Sequence, residues 1–323
     1  MSGKVSDIYM TADDGAHRPP GGDEAGATLW PRAPWIVLAF ALWIAATILT
    51  AMIARADPAG PQGPEYGPDR RQVWRVPGPG GVLMQTLLFR PPGSGPFPLA
   101  VLNHGSDQNA EWRAKATPDA LTVPARWFVQ QGYAVAIPLR PGHGATGGPY
   151  LEDQRGCENA DYRSAGSATA RSIMAAVDYF TAQPFVRPTG ALVVGQSAGG
   201  WGALAVASRN PRNVAAVIAF AAGRGGRIDG RPNNNCAPER LIDAAGYFGS
   251  LARVPVLAIY TENDSYFSPA LSRALTDAFR RAGGRIDYRL LPSFSRDGHW
   301  LFESRDGVVV WAPVVEHFLA NLR

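Results

Sequence analysis

The sequence predicts an α/β chain with a mostly parallel sheet covered by helices on both faces, and three observations lead to it. Short apolar runs at residues 98–103, 190–195, 214–221 and 255–260 alternate with stretches of helical character. Those runs are apolar at nearly every position, as strands buried on both faces are. The chain has 323 residues, 46% of them apolar and 10% aromatic, enough to fill a sizeable core.

Taken in order, residues 1–34 are polar, rich in Gly, Pro and Asp, and without hydrophobic periodicity, so they are expected to be disordered. Residues 35–54 contain no charge, and as a helix they would be roughly 30 Å long, the thickness of a bilayer core. They are expected to form a transmembrane helix or a secretory signal. Ala54-Arg55-Ala56 before Asp57-Pro58 fits small-x-small cleavage, whereas the length favours an anchor. Arg18 and Arg32 on one flank match Arg55 and Arg70 on the other, so charge does not orient the segment. Residues 55–71 are expected to be a Pro/Gly linker, and 72–323 the folded domain.

Within that domain, residues 72–77 and 81–90 read as strands joined by the turn Gly78-Pro79-Gly80-Gly81, an antiparallel hairpin at a sheet edge. The strand at 98–103 runs into His104-Gly105-Ser106. Residues 117–131 read as a helix stopped by Gly132, and 133–139 as a strand leading into the loop Arg140-Pro141-Gly142-His143-Gly144. A helix over 165–182 carries Ala170, Ile173, Met174, Val177 and Phe180 on one face. Ser268-Pro269 opens another, with Leu271, Leu275 and Phe279 along one side until Gly283-Gly284. A strand at 286–291 and a helix near 308–322 complete the chain.

The chemistry centres on Gly195-Gln196-Ser197-Ala198-Gly199, a G-x-S-x-G between a predicted strand and a predicted helix. That context is the nucleophile elbow of α/β-hydrolases, in which the serine sits on a strained turn that leaves no room for side chains at the flanking glycines. There the acid and then the histidine follow the serine along the chain. Of five histidines, His17, His104 and His143 precede Ser197, leaving His299 and His317. His299, just after the last strand, is the expected base, and His317 falls in the final helix. Asp264, directly beyond the strand at 255–260, is the expected acid, with Glu262 and Asp297 as rivals. The backbone N–H groups of Ala198 and Ser106 are the expected oxyanion donors, with His104 and Gly105 in positioning roles.

From about residue 72 to the C-terminus the chain resembles the dienelactone-hydrolase and prolyl-oligopeptidase-like branch of the α/β-hydrolases. The resemblance rests on Asn103-His104-Gly105, on residues 140–144 with Gly147-Gly148, on the Ser197 elbow, and on Asp264 and His299. It departs from dienelactone hydrolases in having serine where they use cysteine. It also lacks the His-Gly-Gly-Gly of lipases, and the stretch before Gln72 is too short for the propeller of the oligopeptidases. The resemblance implies a serine hydrolase that cleaves carboxylic esters through an acyl-enzyme, with a small-molecule ester as substrate and with no cofactor and no metal. The alternatives are a peptidase or amidase, and a membrane-tethered binding protein without turnover. Residues 223–247 lie between two strands and are expected to form a lid.

The net charge is +4, but the basic residues are dispersed. The one cluster, Arg224, Arg227 and Arg231 among glycines, is a single copy and reads as a loop, so no nucleic-acid partner is expected. Cys157 and Cys236 are the only cysteines; they are either two separate thiols or a disulfide. Pairing goes with export, either periplasmic or anchored in a bacterial inner membrane with the domain outside the cytoplasm.

Overall fold

The structure, a computed structural model, describes residues 58–322 together with Trp43. Apart from Trp43, the segments 1–34 and 35–54, expected to be disordered and membrane-spanning or signal, lie outside the described residues. Among the described residues no helix is long and apolar enough to cross a membrane.

Nine strands form one sheet: β1 (Gly60–Tyr66), β2 (Arg71–Pro77), β3 (Leu83–Phe89), β4 (Leu99–Asn103), β5 (Ala134–Pro138), β6 (Ala191–Gln196), β7 (Val214–Phe220), β8 (Val256–Thr261) and β9 (Ile286–Leu291). Their order is β1-β2-β3-β5-β4-β6-β7-β8-β9. The six from β5 to β9 in that order are parallel, and β1, β2 and β3 add an antiparallel margin. The helices are α1 (Ala110–Ala114), α2 (Thr122–Gln130), α3 (Tyr162–Thr181), α4 (Ala198–Ala207), α5 (Pro238–Leu251), α6 (Pro269–Arg281) and α7 (Arg305–Ala320).

Each central strand feeds two cores because successive side chains point to opposite faces. In β6, Ala191 and Val193 join a core with α3, α4, α5 and α6, while Leu192 and Val194 join a second core with α2 and α7. Trp311 of α7 meets Trp127 and Phe128 of α2 there, with ring centroids 4.9 and 6.3 Å away. Every residue of α4 is buried, which matches its apolar character on all sides.

Three expectations need correction. The stretch 55–71 is not all linker, because β1 lies inside it and pairs with β2. Its Pro61 and Pro64 are tolerated on an edge strand, whose outer side makes no ladder bonds. The predicted hairpin of β2 and β3 is therefore one strand in from the edge. The expected lid at 223–247 is loop only to residue 237. From Pro238 the chain is α5, with proline in the first turn and Leu241, Ala244, Ala245 and Phe248 buried at helical spacing.

Cys157 and Cys236 are joined as a disulfide, their Cα atoms 4.9 Å apart and 79 residues apart in sequence. The Tyr162 hydroxyl also donates to the Cys236 carbonyl, tying the same loop to α3. Closing a loop of that length contributes about 4 kcal/mol in the chain-entropy account. Reduction with dithiothreitol is expected to lower the unfolding free energy by about that much in urea titrations; an unchanged midpoint would contradict it.

Candidate active site

Strand β6 ends at Gln196, and α4 begins at Ala198. Between them Ser197 has φ 54° and ψ −119°, a left-handed conformation that L residues avoid unless their surroundings impose it. The surroundings do so here. A Cβ on Gly195 would strike the backbone of Gly199, and one on Gly199 would strike the carbonyl oxygens of Asn103 and His104. Ser197 N–H donates to Phe220 O at 2.9 Å, and Ser197 O accepts from the N–H groups of Trp201 at 2.9 Å and Gly223 at 3.2 Å.

The loop after β4 meets the elbow because of the strand order. β4 neighbours β6 while β5 lies on its other side, which makes a switch point where parallel sheets open a crevice at their carboxyl ends. Asn103 pairs with Gly195 in register. His104-Gly105-Ser106 therefore passes beside the serine: a Cβ on Gly105 would lie 3.4 Å from Ser197 Cβ and 2.8 Å from Gln196 Oε1. The N–H groups of Ser106 and Ala198 have no backbone or side-chain acceptor among the described residues. Both residues line, with Ser197, a cavity of about 870 Å³. Trp112, Tyr266 and Phe267 contribute aromatic walls, Asp107, Gln108, Asn109 and Gln154 polar ones, and the loop from Gly223 to Gly230 and both cysteines also line it.

Strands β8 and β9 are neighbours, so the loops beyond them meet as well. His299 Nδ1 lies 3.1 and 3.2 Å from the Asp264 carboxylate oxygens, and both residues are buried. Asp264 Oδ1 also accepts from the N–H groups of Tyr266 at 2.8 Å and Phe267 at 3.0 Å. With Nδ1 on the carboxylate, Nδ1 carries the proton and Nε2 is left as the basic nitrogen. The His299 carbonyl accepts from Gln196 Nε2 at 3.2 Å, which ties the histidine loop to the residue before the serine. No hydrogen bond joins the Ser197 hydroxyl to the imidazole among the described residues; this contact is often long until a substrate binds.

The rival side chains do other work. Asp297 accepts from His299 N–H at 3.1 Å and from Ser265 N–H and Oγ at 3.0 and 2.6 Å, so it holds the backbone under His299 and not the ring. Glu262 is exposed, and so is His317, which contacts Asn321 at the C-terminal cap of its helix.

Two other features carry no local signal in the chain. Tyr266 stacks on the His299 ring with centroids 3.9 Å apart. Beneath the Ser106 loop, Glu152 lies between Arg140 and Arg224, all three buried. Burial alone would raise the Glu152 pKa, but the two guanidinium groups outweigh it and hold the carboxyl well below the usual carboxylate range. His104 and His143 are pushed down chiefly by burial, His143 to about 4. His104 is thereby neutral, donating from Nδ1 to Gly105 O at 2.5 Å and accepting Arg140 N–H at Nε2 at 3.2 Å. Arg140 stood out in the sequence only as part of a glycine-rich motif, and Glu152 not at all.

Comparison with known proteins places this geometry. The family model described as the prolyl oligopeptidase family matches residues 121–223, a stretch that includes the elbow. No curated protein matches the chain. Among solved structures, DcsB in complex with its substrate analogue is 16% identical with a TM-score of 0.54, covering 78% of this chain and 99% of that one. Est1E from Butyrivibrio proteoclasticus with ferulic acid bound is 17% identical with a TM-score of 0.52, covering 76% and 98%. A puromycin-hydrolyzing peptidase of Mycobacterium tuberculosis is 17% identical with a TM-score of 0.52, covering 74% of this chain but only 38% of that one. The chain has the α/β-hydrolase fold, and the third of it that carries the elbow matches the prolyl oligopeptidase family. The chain thus spans well under half the length of the mycobacterial peptidase it matches.

The buried histidines make the fold acid-sensitive. A histidine with its pKa lowered on folding favours the neutral form, so the unfolded chain takes up the proton first as pH falls. His143 therefore contributes stability in full above about pH 6.5, and that contribution is lost progressively down to about pH 4, a total of about 3 kcal/mol. Urea midpoints measured from pH 7 to pH 4 are expected to fall across that window, and to fall less in His143→Gln; equal slopes would remove His143 as the cause.

Proposed function

We propose that this protein is a serine hydrolase that cleaves carboxylic esters, with Ser197 as nucleophile, His299 as base and Asp264 as the carboxylate that orients it. The observation that carries the reading is Ser197, held at positive φ on the wall of an 870 Å³ cavity, with the Asp264–His299 pair one residue away through Gln196. In this mechanism His299 Nε2 takes the serine proton as the hydroxyl oxygen attacks the ester carbonyl. The developing oxyanion accepts from the N–H groups of Ala198 and Ser106, the first of which also lies at the positive end of α4. The imidazolium, held by Asp264, then gives its proton to the departing alcohol. Water attacks the acyl-enzyme by the same route and restores Ser197. Aromatic walls at Trp112, Tyr266 and Phe267 suit an apolar or aromatic acyl group, and the likeness to Est1E, solved with ferulic acid, supports the same choice.

A second reading, hydrolysis of peptide or amide bonds, is favoured by the match to the prolyl oligopeptidase family. The same side chains serve it, so turnover of matched ester and anilide substrates separates the two. For location we propose export, on the support of the Cys157–Cys236 disulfide. Residues 35–54 then act as signal or membrane anchor.

A fluorophosphonate is expected to label Ser197, and Ser197→Ala is expected to lower kcat on a p-nitrophenyl ester by about 10³- to 10⁶-fold with the unfolding midpoint unchanged. Absence of labelling in the folded protein would favour a binding protein without turnover, and full activity of Ser197→Ala would reject the assignment.

A further inference from the structure

We propose that Tyr150 and Arg224 are positioning residues, holding the Ser106 loop against Ser197 through a one-way chain of hydrogen bonds anchored in the buried Arg140–Glu152–Arg224 cluster. The proposal rests on the ester-hydrolase reading, in which the Ser106 N–H is an oxyanion donor.

The direction of the chain follows from which groups are able to donate. Arg224 Nη1 lies 3.2 Å from the Tyr150 hydroxyl, and a guanidinium only donates, so Tyr150 accepts there. Its own proton is then free for Ser106 Oγ, 3.2 Å away. At the far end, His143 Nδ1 faces the carbonyls of Arg140 and Pro141, each at 3.2 Å. Carbonyls only accept, so Nδ1 carries the hydrogen and Nε2 has a lone pair. Nε2 lies 2.9 Å from Ser106 Oγ, which therefore donates to it. Ser106 Oγ accepts from one side and donates to the other, and its side chain has no rotation left.

Both ends of the chain are rigid. Arg224 also donates to Glu152 O at 3.0 Å, to Glu152 Oε2 at 2.5 Å and to Thr169 Oγ1 on α3 at 2.9 Å. Arg140 grips the other carboxylate oxygen of Glu152 and donates from Nη1 to His104 O at 2.9 Å. The Ser106 loop is thus tied at its start through His104 and at its end through Ser106 Oγ, both to the same buried carboxylate. Tyr150 itself is fixed by the Arg113 guanidinium, 3.8 Å over its ring. Ser106 N–H is left without an acceptor beside the nucleophile, as an oxyanion donor requires. Arg224 is also the second residue of the loop that walls the cavity, so one side chain links the substrate wall to the donor.

The test uses the full chain, a p-nitrophenyl ester, and a trifluoromethyl ketone, which adds to the serine as a tetrahedral species. Tyr150→Phe keeps the ring and removes the hydroxyl; Ser106→Ala keeps the backbone N–H and removes the relay. Each is expected to lower kcat about tenfold with KM within about twofold, and to weaken the ketone by the same factor as kcat/KM. The double variant is expected to be no worse than the poorer single, because both cut one chain. Should either variant fail to fold, the other carries the test alone. Unchanged kcat and ketone affinity, a change confined to KM, or multiplied losses in the double variant would each overturn the relay. A wild type that neither turns over esters nor reacts with a fluorophosphonate removes the hydrolytic reading and the relay with it. A reactive wild type with unaffected variants removes the relay alone.

Discussion

Backbone pressed against backbone around Ser197 is the constraint on which the site depends. Gly195 touches Gly199, and Gly199 touches the carbonyls of Asn103 and His104, so the end of β6, the start of α4 and the end of β4 occupy one crowded point. A non-glycine residue at positive φ costs on the order of 1–3 kcal/mol, and it persists only where neighbours over-determine it. Three backbone hydrogen bonds to Ser197 and the wholly buried α4 supply that determination. The crowding also aligns the parts: it sets the Ser106 loop beside the hydroxyl and leaves the N–H of Ala198 at the helix start.

The other partners arrive by strand order. Because β8 follows β7 and β9 follows β8 in the sheet, loops 35 residues apart in sequence bring the Asp264 carboxylate to the His299 ring. The buried charges beneath the Ser106 loop obey a different economy. A carboxylate removed from water is stable only with its lone pairs filled, and two guanidiniums fill those of Glu152. Such clusters add little net stability over an apolar core, but removing one partner strands the rest. Rigidity beside Ser197 is the property gained.

The order of strands and helices was legible because apolar runs and helical faces are local patterns, and the elbow was legible because its glycines are adjacent to the serine. Errors fell where local pattern and context diverge. Gly60, Pro61, Gly63 and Pro64 give β1 the local look of a linker, yet an edge strand accepts them. The start of α5 was hidden behind the Asn233-Asn234-Asn235 run, although Leu241, Ala244, Ala245 and Phe248 carry helical spacing. Asp297 is a rival to Asp264 in sequence; what sets them apart is the His299 ring, whose Nδ1 lies on the Asp264 carboxylate while Asp297 holds only backbone and Ser265.

By itself the sequence determined the Ser197 turn and its glycines, the chain order of the proposed carboxylate and imidazole, and the alternation of strand and helix. Each of these is set by neighbours along the chain or by the direction of a parallel sheet. Tertiary structure alone decided the company of the Ser106 loop and the cover over His299. Tyr150 reaches Ser106 across 44 residues, Arg224 reaches Glu152 across 72, and Tyr266 lies flat on a ring from another loop. Contacts of that kind follow from which loops a strand order brings together, and no periodicity in the chain encodes them.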